Sequence, residues 1–211
     1  MKKEIILIGG GDHCKSAIDV IEQENKFHVA GIVDFKEKIG QKIFGYTIIA
    51  SDDDLPKLAK DYVNFFITVG HVKNVTTRRN LYNKLKELGL NIPSIISPLA
   101  YISKHSTIQE GCIIFPFSVI DVDAEIGKNC IINHSSIIGH GAIIEDHCHI
   151  SANCVLGKCH IATGTFIGGN CWINNGVSIA QDSIIGSAGN VIRTIEETGV
   201  YVGNPAKRLV K

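Results

Sequence analysis

The second half of this 211-residue chain repeats an aliphatic residue at every sixth position. The repeat starts just after Tyr101. Its spacing falls from six to five residues at one step, after Leu156. The members of this column are Ile102, Ile108, Ile114, Ile120, Ile126, Ile132, Ile138, Ile144, Ile150 and Leu156, then Ile161, Ile167, Ile173, Ile179, Ile185 and Val191. A period of six fits neither a helix nor an isolated strand. It predicts a β-helix of about five triangular coils, in which each repeat supplies one short strand and one corner.

A second column, of small residues, stands two positions before the first. Six of the seven cysteines belong to it, namely Cys112, Cys130, Cys148, Cys154, Cys159 and Cys171. The count is odd and no Cys-x-x-Cys pair occurs, so neither a disulfide framework nor a zinc site is favoured. We therefore interpret these cysteines as small apolar side chains packed at the inner corners of the coils, and only Cys14 lies outside the pattern.

Residues 1–98 alternate apolar strands with amphipathic helices. EIILIGGGDHCKSAIDVIEQ predicts a buried strand, a glycine turn and a helix, and FHVAGIVDF predicts a second strand that ends in an acid. DDLPKLAK predicts a short helix, NFFITVGH a third strand, and NVTTRRNLYNKLKELG a helix closed by Gly89. This order predicts a small parallel sheet of Rossmann type. We expect an α/β domain over 1–98 and a β-helix over 99–211 with a C-terminal extension, the change falling near Pro93 and Pro98.

Charge and hydropathy exclude several classes of protein. Lys and Arg together number 21, as do Asp and Glu, and such a balance argues against a nucleic-acid partner. No apolar run approaches the roughly 18 residues that a membrane span needs. The apolar stretch after the first lysines is also shorter than the roughly 7–15 residues of a signal peptide. We therefore expect a cytoplasmic protein that does not bind membranes.

Four stretches carry a resemblance to a known family. They are GGGDHCKSAIDVI, the hexapeptide run, INHSSIIGHGAIIEDHCHIS within that run, and VYVGNPAKRL near the end. Over nearly its whole length the chain resembles the bacterial two-domain acetyltransferases that N-acetylate UDP-4-amino sugars, as in bacillosamine synthesis. It is similar also to GDP-perosamine N-acetyltransferases and to sialic acid O-acetyltransferases.

The resemblance implies a left-handed β-helix and a homotrimer whose active sites lie between subunits. Acetyl-CoA is then the cosubstrate, without a metal, and the N-terminal domain holds a nucleotide-linked amino sugar. Among nucleotides UDP is expected before GDP or dTDP. The expected reaction is direct attack of the sugar amine, at C4, on the thioester, for which one histidine base suffices because a neutral amine is already a fair nucleophile.

His140, in SSIIGHGAII, matches the catalytic histidine of the family and is our candidate for the general base. An exposed corner histidine without a catalytic task is the plain alternative, and His134 occupies the same position one repeat earlier. In many relatives an acid directly follows the catalytic histidine and orients it, but here that residue is Gly141. The side chain of Glu145 or Asp146, or else a backbone carbonyl, would have to take over this function.

The resemblance also implies which residues contact acetyl-CoA. His149 matches a histidine near the thioester, and Gly157, where the period breaks, matches a glycine whose N–H approaches the thioester carbonyl. Lys207 and Arg208 are candidates for the CoA phosphates, although basic residues near a chain end are commonly only solvated. Asn133 is expected on the sugar side of the site.

The glycine turn of the first domain is expected to receive the diphosphate of the nucleotide sugar, because a helix begins directly after it. As a dinucleotide fingerprint the turn is incomplete, since Cys14 stands where the third glycine belongs. The expected substrate-binding residues are Gly10, Gly11, Asp12, His13, Asp34, Gly70 and His71. His13 enters this set through the family, whereas Asp34, Gly70 and His71 enter it because they follow the predicted second and third strands.

Three other functions remain open at this point. The first is O-acetylation of a sialic acid, for which Gly141 is less suitable because a hydroxyl needs a stronger base. The second is a γ-type zinc carbonic anhydrase, since histidines stand at 134, 140, 147, 149 and 160, although that class has no N-terminal α/β domain. The third is a non-catalytic NAD-binding or sensory module with the β-helix as a trimerisation stalk.

Overall fold

The computed structural model describes residues 2–72 and 74–209 and divides the chain into two compact units. The first unit consists of Met1–Gly70 with Thr76–Ile95, and the second of His71–Val75 with Ile96–Lys211. The sequence predicted one change of domain at 98/99. In the structure the main change is at 95/96, and the short segment His71–Val75 belongs with the β-helix. No helix within the described residues is long and apolar enough to cross a membrane.

The first unit is an α/β domain built on five strands. Its elements are β1 (Lys3–Ile8), α1 (Asp12–Glu24), β2 (Phe27–Val33), β3 (Lys42–Ile43), β4 (Tyr46–Ala50), α2 (Leu55–Leu58), β5 (Phe65–Ile67) and α3 (Thr76–Glu87), with 3₁₀ turns at Lys36–Lys38 and Asp52–Asp54. The strand order is β3-β4-β2-β1-β5, and only the β3–β4 pair is antiparallel. The parallel core of Rossmann type is confirmed. The hairpin that adds β3 and β4 was not predicted.

The second unit is a left-handed parallel β-helix: the period of six predicted its coils, and the family resemblance implied their handedness. Its short strands form three faces, named here in the order in which the hexapeptide run meets them. The first face comprises Tyr101–Ile102, Val119–Ile120, Ile137–Ile138, Val155–Leu156, Trp172–Ile173 and Asn190–Val191. The second face comprises Thr107–Ile108, Glu125–Ile126, Ile143–Ile144, His160–Ile161 and Ser178–Ile179. The third face comprises Ile95–Ile96, Ile113–Ile114, Ile131–Ile132, His149–Ile150, Phe166–Ile167, Ile184–Ile185, Val200–Val202 and Lys207–Arg208.

Stacking of the coils buries both columns of the repeat. The aliphatic column from Ile114 to Val191 is at most 2% exposed, and the cysteine column packs beside it in one continuous cluster. Each strand pairs with the strand one coil later, so that Ile138 lies beside Leu156. Most corners turn through one residue with positive φ, and Asp123, Gly141 and Asn170 illustrate the residue types that accept this conformation.

All seven cysteines are buried thiols. Burial raises the pKa of Cys14 to about 11 and that of Cys159 to about 12, and the thiolate is the reactive form. We therefore expect the native protein near neutral pH to react slowly with a disulfide reagent such as DTNB, and all seven thiols to react after denaturation. A thiol that reacts rapidly in the native protein would contradict the inward placement of this column.

Candidate functional site

A cavity of about 620 Å³ in the first unit lies at the carboxyl ends of its parallel strands. This edge is where α/β sheets bind ligands. The cavity gathers most of the predicted substrate-binding residues, namely Gly10, Gly11, Asp12, His13, Asp34 and Gly70. The structure therefore brings together residues that are up to 60 positions apart in the sequence.

Two glycines of the turn leave no room for a side chain, because neighbouring groups lie too close to their Cα atoms. Gly9 has φ +102°, and a Cβ there would lie 2.5 Å from Cγ2 of Val69. A Cβ on Gly10 would lie 2.6 Å from Oδ2 of Asp34. Gly11 precedes α1 in extended conformation and has open space where a Cβ would stand. The first two glycines thus serve packing, and the third leaves the entrance to the helix open.

The carboxylate of Asp34 is fixed by three donors. Its Oδ2 accepts hydrogen bonds from the Gly10 N–H and from Lys38 Nζ, both at 3.0 Å, and its Oδ1 accepts one from the Phe35 N–H at 2.7 Å. Partial burial raises the pKa of this carboxyl, but Lys38 and the two amides outweigh burial and hold the pKa below its ordinary value. Asp34 is therefore an ionised group that secures the glycine turn.

The other cavity residues of the prediction differ in their contacts. The half-buried His13 ring lies against Gly70, whose Cβ, if present, would be 3.7 Å from His13 Cγ. Asp12 is exposed and forms an ion pair with Lys15 at 2.9 Å. His13 therefore lines the cavity wall, whereas Asp12 stands at its rim.

His71 does not line this cavity, although it follows Gly70 directly in the sequence. Its side chain is 5% exposed and packs in the second unit, with its ring centroid 5.4 Å from that of His149. The His71 carbonyl accepts a hydrogen bond from His149 Nδ1 at 2.6 Å, and Phe166 borders both rings. The chain leaves β5 and crosses at once to the third face, which removes His71 from the predicted nucleotide crevice.

His149 is consequently covered by its own chain. The residue faces out of the coil, but only 8% of it is exposed, because His71 and Phe166 lie against it. Because a carbonyl oxygen can only accept, the hydrogen bond fixes the proton of the His149 ring on Nδ1. The contact of His149 with the thioester stays a prediction.

His140 is exposed at the corner between the first and second faces. The corner is held on both sides: the Gly139 N–H donates to the Leu156 carbonyl at 2.8 Å, and the Gly141 N–H donates to the Val122 carbonyl at 3.0 Å. A Cβ on Gly139 would stand 2.7 Å from the Leu156 carbonyl oxygen. The histidine thus projects from a rigid corner whose flanking residues have no side chains.

Residue 141 has φ +62°, which glycine adopts without strain, although Asp123 has a similar φ at the corresponding corner one coil earlier. The two carboxylates suggested as substitutes for the missing acid have other partners. Glu145 accepts hydrogen bonds from His160 Nε2 and from the Thr163 N–H, both at 2.8 Å, and Asp146 accepts one from the Lys128 N–H at 2.7 Å. Both contacts belong to the neighbouring corner, so neither side chain orients His140 in this structure.

Asn133 and Gly157 occupy two further corners. The Asn133 side-chain oxygen accepts the His134 N–H at 2.9 Å, and the His134 ring stacks on Phe115 with centroids 4.7 Å apart. Gly157 begins the corner in which the spacing of the repeat is five residues instead of six. Its N–H donates to the Ile173 carbonyl at 2.9 Å. A Cβ there would lie 2.2 Å from Oδ1 of Asn175, which explains the glycine by packing. Its role as a donor to the thioester stays a prediction.

Lys207 and Arg208 form the last strand and are both exposed. They border a cavity of about 650 Å³ together with the segment 192–197. Arg208 pairs with Glu197 and donates from Nη2 to the Thr198 carbonyl at 3.2 Å. The structure therefore gives Arg208 a partner within the chain, and Lys207 projects from the same strand.

Several residues of the first cavity were missed. Phe35, Lys38 and the turn Ser51–Asp53 after β4 line it, because the unpredicted hairpin brings β4 beside β2. The alternating GYTIIA stretch was the signal for β4. Arg78 was also missed: it is fully buried and donates from Nη1 to the carbonyls of Ile67 and Val69, behind the cavity wall. Its position on the apolar stripe with Leu81, Tyr82 and Leu85 would have revealed it.

Within residues 2–72 and 74–209, no group of three or more His, Cys, Asp or Glu side chains is arranged to hold a metal ion. The histidines at 134, 140, 147, 149 and 160 are distributed over different faces and corners of the coils. They therefore do not form a triad of ligands within one chain.

Comparison with known proteins identifies both parts of the chain. Residues 4–85 match the PglD N-terminal domain, and residues 123–158 match the bacterial transferase hexapeptide repeat. The two matches support the enzyme class expected from the sequence, an acetyl-CoA-dependent sugar N-acetyltransferase. The first match covers most of the residues that line the cavity of the first unit. The second match covers the coils around His140.

Three solved structures share the fold of this chain over nearly its whole length. A perosamine N-acetyltransferase from Caulobacter crescentus, solved with CoA and GDP-perosamine, is 25% identical with a TM-score of 0.92, over 99% of this chain and 97% of that one. The acetyltransferase domain of PglB from Neisseria gonorrhoeae is 20% identical with a TM-score of 0.91, over 99% and 100%. WeeI from Acinetobacter baumannii is 22% identical with a TM-score of 0.86, over 99% and 100%. The last two comparisons concern the fold alone.

Proposed function

We propose that this transferase moves the acetyl group of acetyl-CoA to the amino group of a nucleotide-linked amino sugar. The observation that carries the proposal is that one chain combines an exposed His140 on a rigid β-helix corner with a cavity at a glycine turn. The first feature supplies a base, and the second suits a nucleoside diphosphate. The perosamine N-acetyltransferase that binds CoA and GDP-perosamine shares both units of the fold.

His140 serves as the general base in this proposal. The neutral amine attacks the thioester carbonyl carbon, its proton passes to His140, the C–S bond breaks, and CoA leaves and recovers a proton. No covalent bond to the protein is needed. The fixed corner supports this role because a base must be held within hydrogen-bond reach of the proton that it removes. The amino group at C4 is the acceptor that the family resemblance favours.

The nucleotide that we propose is GDP, in place of the UDP expected from the sequence. The perosamine enzymes at 25–26% identity hold GDP-perosamine. Asp52 and Asp53 line the cavity beyond Asp34. A carboxylate can accept two hydrogen bonds from the N–H groups on one edge of guanine, whereas uracil offers a single N–H between two carbonyls. The acidic wall therefore favours guanine.

The acetyl-transfer site is proposed to lie between copies of the chain. His140 stands at the corner between the first and second faces, whereas His149 lies on the third face of the same coil, on a different side of the triangle. Both belong to one acetyl-CoA site only if two copies contribute. The first face also exposes a continuous apolar column, formed by Tyr101, Val119, Ile137, Val155 and Trp172. An exposed apolar column of this kind suits an interface, and we propose that it is covered in the homotrimer that the family resemblance implies.

A charge placed in the middle of this column tests the assembly. We expect Val155→Glu to yield monomers in size-exclusion chromatography with light scattering and to lose most of its acetyl-transfer activity, because a buried unpaired carboxylate opposes association. Gln23→Glu, on the exposed side of α1, adds the same charge elsewhere and should leave the trimer intact. A Val155→Glu trimer with full activity would refute this interface.

The reaction is tested by release of the CoA thiol from acetyl-CoA. The acceptors are GDP-, UDP- and dTDP-linked 4-amino sugars together with free sialic acid. We expect turnover with the GDP-linked amino sugar and N-acetylation of the product by mass spectrometry. Turnover with sialic acid alone would replace the proposal by O-acetylation, and turnover with the UDP sugar alone would overturn the choice of nucleotide.

A further inference from the structure

The first cavity is unusually acidic for the ligand proposed to fill it. Its lining carries five carboxylates, those of Asp12, Asp34, Glu37, Asp52 and Asp53. A diphosphate adds two negative charges to this environment, and like charges at short range are unfavourable even where water screens them in part. Binding therefore requires a cation near the glycine turn. The lysines among the lining residues are Lys36 and Lys38.

Lys38 is the lysine that reaches the glycine turn. Its Nζ lies 3.0 Å from Oδ2 of Asp34, and the same oxygen accepts the Gly10 N–H at 3.0 Å. One carboxylate oxygen thus brings together an ammonium group and a backbone amide of the turn. This is the pair of donors with which proteins hold a phosphate oxygen. Asp34 thus occupies the place in which these donors would hold an anion.

The contact can be exchanged if the ligand offers Asp34 a new donor. The Lys38 side chain is 40% exposed, and its ammonium lies 5.2 Å from the centroid of the exposed Phe35 ring, so Lys38 remains well solvated without Asp34. The Asp34 side chain is only 8% exposed, so its charge depends on donors other than bulk water. If Lys38 leaves, Asp34 keeps the Gly10 and Phe35 amides as donors and gains room for a further one. Ribose hydroxyl groups are suitable donors.

We propose that Lys38 moves from Asp34 to the diphosphate when the nucleotide sugar binds. Asp34 then accepts a hydrogen bond from a hydroxyl group of the ribose. This inference rests on the proposed function, since it assumes a nucleoside diphosphate ligand. It assigns the neutralising charge to Lys38 and gives Asp34 two successive partners. Phe35 guides the exchange, because its ring holds the ammonium close to the turn.

The first test measures equilibrium binding of GDP and of guanosine by calorimetry, without acetyl-CoA. We expect Lys38→Met to weaken GDP binding about 10- to 100-fold, the usual loss for a charge-assisted contact, and not to weaken guanosine binding, since guanosine has no diphosphate. Lys42→Met, in the neighbouring strand β3 but outside the cavity lining, is the matched control and should bind both ligands like the wild type. Lys36→Met distinguishes the two cavity lysines.

The second test uses inorganic diphosphate and Asp34→Asn. Inorganic diphosphate has no ribose, so for this ligand Asp34 is only a competitor for Lys38. We expect Asp34→Asn to bind inorganic diphosphate about tenfold more tightly than the wild type and GDP more weakly. The asparagine oxygen can still accept the Gly10 N–H, which preserves the turn. A merely structural role of Asp34 would weaken both ligands together, and that outcome would overturn the exchange.

The remaining outcomes separate this inference from the proposed function. Equal GDP binding by the wild type and Lys38→Met, or a loss confined to Lys36→Met, would overturn the role of Lys38 while the nucleotide site stands. If the wild type binds UDP and not GDP, the same comparison with UDP and uridine decides the role of Lys38. If the wild type binds no nucleoside diphosphate, both proposals fail.

Discussion

His140→Asn is expected to lower kcat for acetyl transfer about 10²- to 10⁴-fold, the range that general base catalysis contributes. Asparagine cannot take a proton, but it fits the exposed corner between Gly139 and Gly141 without disturbing their backbone hydrogen bonds. The loss should therefore appear in kcat, while binding of the nucleotide and of CoA is retained. Thiol release under saturating substrates, together with calorimetric binding of each substrate, measures both quantities.

His105 offers a matched control for this substitution. It is exposed at the same corner of the β-helix, between the first and second faces, but in the first coil. We expect His105→Asn to retain wild-type kcat, because the corner itself has no catalytic property. Full activity of His140→Asn would show that His140 is an exposed corner residue without a catalytic task, and another residue would have to be the base.

Arg78→Met is expected to destabilise the first unit by about 2–5 kcal/mol. Arg78 is fully buried in α3 and donates from Nη1 to the Ile67 carbonyl at 2.7 Å and to the Val69 carbonyl at 2.9 Å. Methionine fills much of the volume but leaves both carbonyls without this donor. Because β5 ends at Ile67 and leads into the cavity wall at Val69 and Gly70, nucleotide affinity should fall as well.

The adjacent Arg79 provides the comparison, since it is partly exposed on the same helix. Arg79→Met should change the free energy of unfolding by less than about 1 kcal/mol, as is usual for surface positions. Urea denaturation followed by circular dichroism gives both values. Equal stability of the two variants would show that the buried hydrogen bonds of Arg78 are replaced without cost.

Repetition made the β-helix predictable from the sequence. A residue such as Ile138 needs only the residues one coil away to be buried, and these stand at a fixed spacing in the sequence. The same regularity placed the cysteines inside the coils and His140 at an outward corner. The glycine turn after β1 was equally local, because a strand, a tight turn and a helix follow one another directly. For these features, neighbours in sequence are neighbours in space.

Contacts between distant segments decided the rest. Nothing in the order of residues indicated that the chain crosses to the β-helix directly after Gly70, so that His71 covers His149. The pairing of Asp34 with Lys38 and Gly10 likewise depends on how β2 meets the glycine turn. Periodicity determines which side of an element is buried, and from it the sequence by itself determined the parallel strands β1, β2 and β5, the coils and the corner of His140. Which polar groups meet is set by packing between elements, and only the tertiary structure decided that.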